Sequence, residues 1–294
     1  RDETLLSQIP KGLKVYRTKA WGPSTLRIMN DHPTAPGMKR FENNDFSATL
    51  KRIRRDLIHS LNNMISIPDP LIYWVPKVVE LGKELGRKIG FDAVLTTSPP
   101  HSTHFAGLIL SRQLGLPWIS DFRDPWVDNI YFEGKKGRLR RYMEEWLERL
   151  IMRSSAGTIA NTEPNRRSLL DRYHGILPPA KVVTITNGFD RDFINSIPPK
   201  KFDKFTLCHS GALYSLLDTH FIFEAFARWL ETIKSTGPNM PPAQFVFIGT
   251  NEAGLRPIID KYGIQDHVHF ISRVSHETAI SYTKAADLLL VNIG

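Results

Sequence analysis

The residues best suited to chemistry fall in three short stretches of this 294-residue chain. The first is Thr96-Thr97-Ser98-Pro99-Pro100-His101-Ser102-Thr103-His104. Hydroxyls and two imidazoles where a strand gives way to a helix could hold an anion or sugar hydroxyls, because the first N–H groups of a helix lack partners within it. Alternatively, Ser98 or Ser102 only caps that helix. The second is Asp121-Phe122-Arg123-Asp124-Pro125-Trp126. Charges at the end of a buried strand are costly unless paired. The pattern suits Arg123 held by one carboxylate, with the other carboxylate accepting a hydroxyl proton. A structural ion pair at the sheet edge is the plainer alternative. The third is His209-Ser210-Gly211-Ala212, with Ile248-Gly249-Thr250 after the following strand. A glycine just past a strand lets the backbone approach a diphosphate closely.

Other chemistries are not supported. The chain has no G-x-G-x-x-G, no P-loop and no G-x-S-x-G. Its histidines are scattered, and its one cysteine, Cys208, cannot build a thiolate cluster, so no metal site is expected. His267 and His269 are read as structural. A lone cysteine also excludes an internal disulfide and fits a reducing compartment.

The elements that position these stretches follow a repeated pattern. Short apolar runs at 92–97, 118–122, 157–160 and 182–186 alternate with helical patterns at 102–114, 138–153 and 164–173. After Asn187-Gly188, Pro198-Pro199 and a lysine run, the alternation resumes. Strand-like runs fall at 205–209, 245–248, 268–271 and 288–292, with helices at 218–234, 253–262 and 275–285. Such alternation predicts βαβ units and parallel sheets. The fold class expected is α/β: two Rossmann-like parallel-sheet domains facing across a cleft, the second incomplete. Residues 1–190 form the first domain, 191–204 a linker and 205–294 the second. Residues 20–70 are irregular around one helix at 45–64. The chain starts without Met and stops inside an apolar run, and is read as a piece cut at both ends.

Charge divides the same way. The chain has a formal net charge of +9. Residues 1–200 hold 31 basic and 21 acidic side chains, whereas 201–294 hold 8 and 9. A basic half suits an anionic partner. One basic cluster is Lys51, Arg52, Arg54 and Arg55. A second, Lys135 to Arg141, leads into Tyr142, Met143, Trp146, Leu147, Leu150 and Ile151 at helical spacing. That helix either packs its apolar stripe on its own domain or lies on a membrane surface. Nucleic-acid binding has only the charge to recommend it, because aromatic residues do not interleave with the basic clusters. No apolar run reaches the ~20 residues that cross a bilayer.

The strings TTSPPHSTHFAGLILSRQLGLPWISDFRDPW, TNGFD, FVFIGT and HFISRVSHETAISYTKAADLLLV, with Pro68-Asp69-Pro70 and Trp74, resemble bacterial nucleotide-sugar glycosyltransferases of the GT-B fold, retaining family 4. The resemblance implies a hexose moved from a nucleoside-diphosphate sugar to a glycan or lipid-linked acceptor, with retained configuration. It implies no cofactor and no metal. Asp124 and Arg123 would be catalytic. Ser98, His101, His104, Asp121 and Trp126 would line the acceptor side. Ser210, Gly211, Gly249, Thr250 and Arg273 would bind the donor. Partners would be the donor, the acceptor and an anionic membrane surface met by the basic half, at the cytoplasmic side of the inner membrane. A non-catalytic sugar- or nucleotide-binding module of the same fold is the alternative; it is favoured by the lack of a basic residue in Leu213-Tyr214-Ser215-Leu216-Leu217.

Overall fold

The computed structural model describes residues 9–10, 12–19, 66–127, 129, 137–213, 220–236 and 242–291. The helix expected at 45–64, the cluster Lys51–Arg55, Lys135, Lys136, Tyr214–Leu217 and the last residue of the strand expected at 288–292 lie outside them. The chain divides into two compact units, residues 15–188 and residues 189–294 grouped with 1–14.

The first unit carries four parallel strands in the order β1-β2-β3-β4. They are β1 (Val94–Ser98), β2 (Trp118–Phe122), β3 (Gly157–Ala160) and β4 (Val182–Thr184). Among the described residues they are accompanied by the helices α1 (Val75–Ile89), α2 (Thr103–Leu114), α3 (Arg138–Ser154) and α4 (Glu163–Arg172). β2 and β3 coincide with the apolar runs of the sequence. Register places Thr97 beside Asp121 and Ser98 beside Phe122. One core joins Leu108, Trp118, Phe122, Trp126, Ile151, Met152, Tyr173 and Val182; another joins Val75 and Val79 of α1 to Ala106 and Leu110 of α2. α2 lies close on the sheet because of Gly107: a Cβ there would stand 2.4 Å from Trp118 Nε1 and 2.7 Å from Thr96 Cγ2.

α1 is absent from the sequence expectations above. Its signals were local ones: Pro76 in its first turn, Arg87 and Lys88 in its last, and Gly90 as its C-cap.

The second unit carries α5 (Arg191–Ser196), β5 (Phe205–Ser210), α6 (His220–Thr236), β6 (Ala243–Ile248), α7 (Arg256–Tyr262), β7 (Val268–Ile271), α8 (His276–Ala285) and β8 (Leu288–Leu289). Its parallel strands run β7-β6-β5-β8. β6 is buried at all six positions, as expected for a central strand covered on both faces. Phe245 and Phe247 stack with centroids 4.2 Å apart and pack on Phe223. The stretch expected to be a linker is instead tied to α8. Lys284 Nζ donates to the carbonyls of Ile194 and Ile197, at 2.9 and 2.5 Å, and Lys200 N donates to Ser281 O. The lysine ammonium satisfies carbonyls at the end of α5, as cations do at a helix C-terminus.

Candidate functional site

In the first unit, the two stretches singled out in the sequence meet at the carboxyl ends of β1 and β2. Thr97 Oγ1 donates to Asp121 Oδ2 at 2.8 Å. The ring of His101 stacks on Trp126, with centroids 4.9 Å apart and planes 7° apart. Arg123 N donates to Ser98 O. Thr97, Pro99, Arg123 and Asp124 are exposed at this edge, with Asp121 and His101 half-buried.

Three of the expected contact residues lie inside. Ser98, His104 and Trp126 are buried, so in this conformation they support the site rather than face a solute. His104 Nδ1 stands 2.8 Å from Thr96 Oγ1, which also accepts from Trp118 Nε1 at 2.8 Å. Burial, followed by the charge of His101, pushes the His104 pKa down to about 3, so the ring stays neutral at any working pH. Two further expectations change. Arg123 is not held by a carboxylate: among the described residues, neither Asp121 nor Asp124 pairs with it. Arg123 and Asp124 stand in solvent beyond the strand end, where pairing is not required, and Asp121 is satisfied by Thr97. Nor is the entry of α2 vacant for an outside anion. Asp69 fills it, accepting from Ser102 N and Ser102 Oγ, both at 2.8 Å. Ser102 itself makes no side-chain cap.

Asp69 therefore clamps the loop before α1 onto the start of α2. Its carboxylate also accepts from Leu71 N at 3.0 Å. Replacing Asp69 by alanine strands the buried Ser102 N–H and removes three bonds to a carboxylate. A loss of about 2–4 kcal/mol is expected in urea unfolding, because each bond to a charged group is worth about 1.5–3 and part is recovered by water.

A second support comes from α3. Glu144 and Glu148 are buried although charged residues rarely are. Arg140 Nε donates to Glu144 Oε1 at 2.9 Å, and Arg140 also donates to Pro68 O. Glu148 accepts from Tyr173 Oη at 2.6 Å and from Val127 N at 3.4 Å, which ties α3 to the residue after Trp126. Burial raises the Glu148 carboxyl from 4.5 to about 7, outweighing the two hydrogen bonds that lower it. The same burial, and then Glu148, raise Tyr173. The sequence reading missed both glutamates, because it followed the apolar stripe of the helix. The signal was their own i, i+4 spacing, repeated by the apolar pair Ile151 and Met152 on the same face.

Glu148 has a measurable consequence. A carboxyl whose folded value is raised favours folding in its protonated form. Its contribution is fully present below 4.5 and is lost as pH rises through about 7. Glu148→Gln keeps an acceptor for Val127 and removes the charge. Thermal melts from about pH 4.5 to 8 are expected to show a smaller decline for the variant than for the parent protein.

In the second unit, the donor-side candidates gather at the carboxyl ends of β5, β6 and β7. Ser210 and Gly211 end β5, Gly249 and Thr250 follow β6, and Arg273 follows β7. All except half-buried Thr250 are exposed. Thr250 Oγ1 donates to Gly211 O at 2.7 Å, and Gly211 N donates to Ile248 O at 2.9 Å. Gly211 has φ +124°, which L side chains rarely adopt, and the space beside it is open: a Cβ would meet nothing within 4 Å. The order β7-β6-β5-β8 places a topological switch point between β5 and β8. Ligands of open α/β sheets bind at such a point, beyond the carboxyl ends. His209 lies there, its Nδ1 3.1 Å from Leu290 O.

Among the described residues, no group of three or more His, Cys, Asp or Glu stands close enough to hold a metal ion. No described helix is long and apolar enough to cross a membrane.

The two units coincide with two family matches. Residues 12–188 match the family described as "Glycosyl transferase 4-like domain", and residues 190–293 match "Glycosyl transferases group 1". Among solved structures, the chain is similar to Alr3699/HepE from Anabaena in complex with UDP, with a TM-score of 0.51 and 14% identity; the match covers 73% of this chain and 56% of that one. The same protein in complex with UDP-glucose matches with a TM-score of 0.51 and 19% identity, over 75% of this chain and 56% of that one. The chain thus spans little more than half the length of these structures, and at such identity they establish the fold. Among curated proteins none matches.

Proposed function

Because the chain belongs to the glycosyltransferases, by its 4-like and group 1 domains, we propose that it moves a hexose from a nucleoside-diphosphate sugar to a glycan or lipid-linked acceptor, with retention of configuration and without a metal. The observation that carries this reading is the position of Ser210-Gly211, an open, exposed strand end at the switch point of the group 1 half. That is where a parallel sheet receives a phosphorylated ligand.

In this reading the second unit holds the donor. Gly211 lets the backbone approach the diphosphate, Gly249 and Thr250 continue that edge, and Arg273 lies near the nucleobase. Negative charge grows on the departing diphosphate in the transition state, so fixed donors and cations beside it lower the barrier. The neighbour's complex with UDP-glucose makes a UDP-hexose the first donor to test. The first unit holds the acceptor. Asp124 accepts the proton of the attacking hydroxyl, and Arg123 orients that hydroxyl. His101 and Asp121 complete the edge, while Ser98, His104 and Trp126 hold it in shape.

Asp124→Asn tests the assignment. Turnover is expected to fall by about a hundredfold, with donor KM nearly unchanged. Equal loss of donor affinity removes Asp124 from the acceptor role. Donor binding without any turnover of donor would favour the non-catalytic module.

A further inference from the structure

The helix α3 is inverted relative to an ordinary amphipathic helix. Its inner face buries Glu144 and Glu148 together with Ile151 and Met152. Its outer face leaves Leu139 62%, Tyr142 68%, Met143 39% and Trp146 54% exposed. At 3.6 residues per turn these four fall within about 100° of arc, opposite the buried glutamates. Single exposed apolar side chains are ordinary, but a continuous stripe with two aromatic rings marks a binding surface.

Cations frame the stripe. Arg138 and Arg149 run along one border and Arg153 stands at its far end, all exposed. No acidic residue falls on that arc; the nearest, Glu145, is bonded to Arg141 at 3.0 Å. Trp146, Arg149, Leu150, Arg153 and Ser154 line a surface depression of about 380 Å³. Arg149 lies over the Tyr173 ring at 5.8 Å, which steadies the guanidinium at the rim.

We propose that this face docks the first unit on an anionic lipid bilayer, with Trp146, Tyr142 and Leu139 in the interface and Arg149 and Arg153 on lipid phosphates. Tryptophan and tyrosine settle at the headgroup level, and arginines keep their guanidinium groups at that depth while their stems cover apolar surface. Basic borders beside an apolar stripe select an anionic bilayer over a neutral one. The inference rests on the transferase reading for its purpose, which is to bring the acceptor side to lipid-linked glycans.

The test is flotation of the whole chain with phosphatidylglycerol-containing vesicles and with pure phosphatidylcholine vesicles. Binding is expected to the first, weakening with added salt. Arg149→Gln and Arg153→Gln are each expected to weaken it by roughly fivefold, and Trp146→Glu by roughly tenfold. These positions are exposed, so melting temperature stays unchanged; Tyr142→Gln serves as a second apolar variant. The double variant Lys77→Glu/Arg87→Glu, on exposed positions of α1, is expected to bind as the parent does. The proposal is overturned by absent flotation, by equal binding to both vesicles, or by equal loss in the α1 variant. It is also overturned if Trp146→Glu only dissociates a dimer. Release of nucleoside diphosphate, measured without vesicles, tests the transferase reading separately, so either can fail alone.

Discussion

Gly107→Ala is expected to destabilise the first unit by more than about 3 kcal/mol, at or beyond the upper end of ordinary overpacking. The added methyl would sit 2.4 Å from Trp118 Nε1, 2.6 Å from Trp118 Cε2 and 2.7 Å from Thr96 Cγ2. None of these atoms is the free end of a flexible chain. Trp118 is fully buried and donates to Thr96, and Thr96 in turn meets His104. Relief requires either breaking that chain of bonds or lifting α2 off β1 and β2. Lifting α2 would carry away Ser102 and the Asp69 clamp, and with them the loop that places His101. Chemical unfolding followed by tryptophan fluorescence reads the effect directly. A loss under about 1 kcal/mol would mean the helix–sheet contact has slack that the geometry denies.

The second large effect is expected at Trp126. Its ring is buried, stacks on His101, and meets Phe105 edge-on at 6.5 Å. Trp126→Ala removes one of the largest side chains of the first core and leaves a cavity that rigid neighbours cannot close, at a cost of about 3–5 kcal/mol. It also removes the surface against which His101 is held, so turnover is expected to fall even where the variant remains folded. Trp126→Phe keeps an aromatic platform and is expected to recover much of both losses. A variant Trp126→Ala as stable as the parent but with reduced acceptor affinity would place the indole against the acceptor, as the sequence first suggested.

The legible part of the molecule was its apolar rhythm. The runs WISDF and GTIA became β2 and β3 at the expected residues, because buried parallel strands are bounded by sharp changes to loop residues. The site was legible where chemistry sits at strand ends. Thr97 does meet Asp121 and His101 does meet Trp126, and Ser210, Gly211, Gly249 and Thr250 share one sheet edge. What sequence could not give was direction. Whether Arg123 needs a carboxylate depends on whether it stands in or beyond the core. Which anion fills the entry of α2 depends on Asp69, 33 residues away in the chain. The face of α3 that is buried was misleading for the same reason. Hydropathy points its apolar stripe inward, but Glu144 and Glu148 find Arg140, Tyr173 and Val127 inside, and partners decide what burial costs.

The measurement that bears most directly on the central claim is turnover of a nucleoside-diphosphate hexose by the full-length protein. Labelled UDP-hexose and a panel of glycan and lipid-linked acceptors would be supplied, with Asp124→Asn and Gly211→Val in parallel. The expected result is a glycosylated product with retained anomeric configuration. Asp124→Asn should be impaired in turnover at nearly unchanged donor KM, and Gly211→Val impaired in donor binding. Folded protein that neither binds nor turns over any nucleotide sugar, or variants indistinguishable from the parent, would contradict the account.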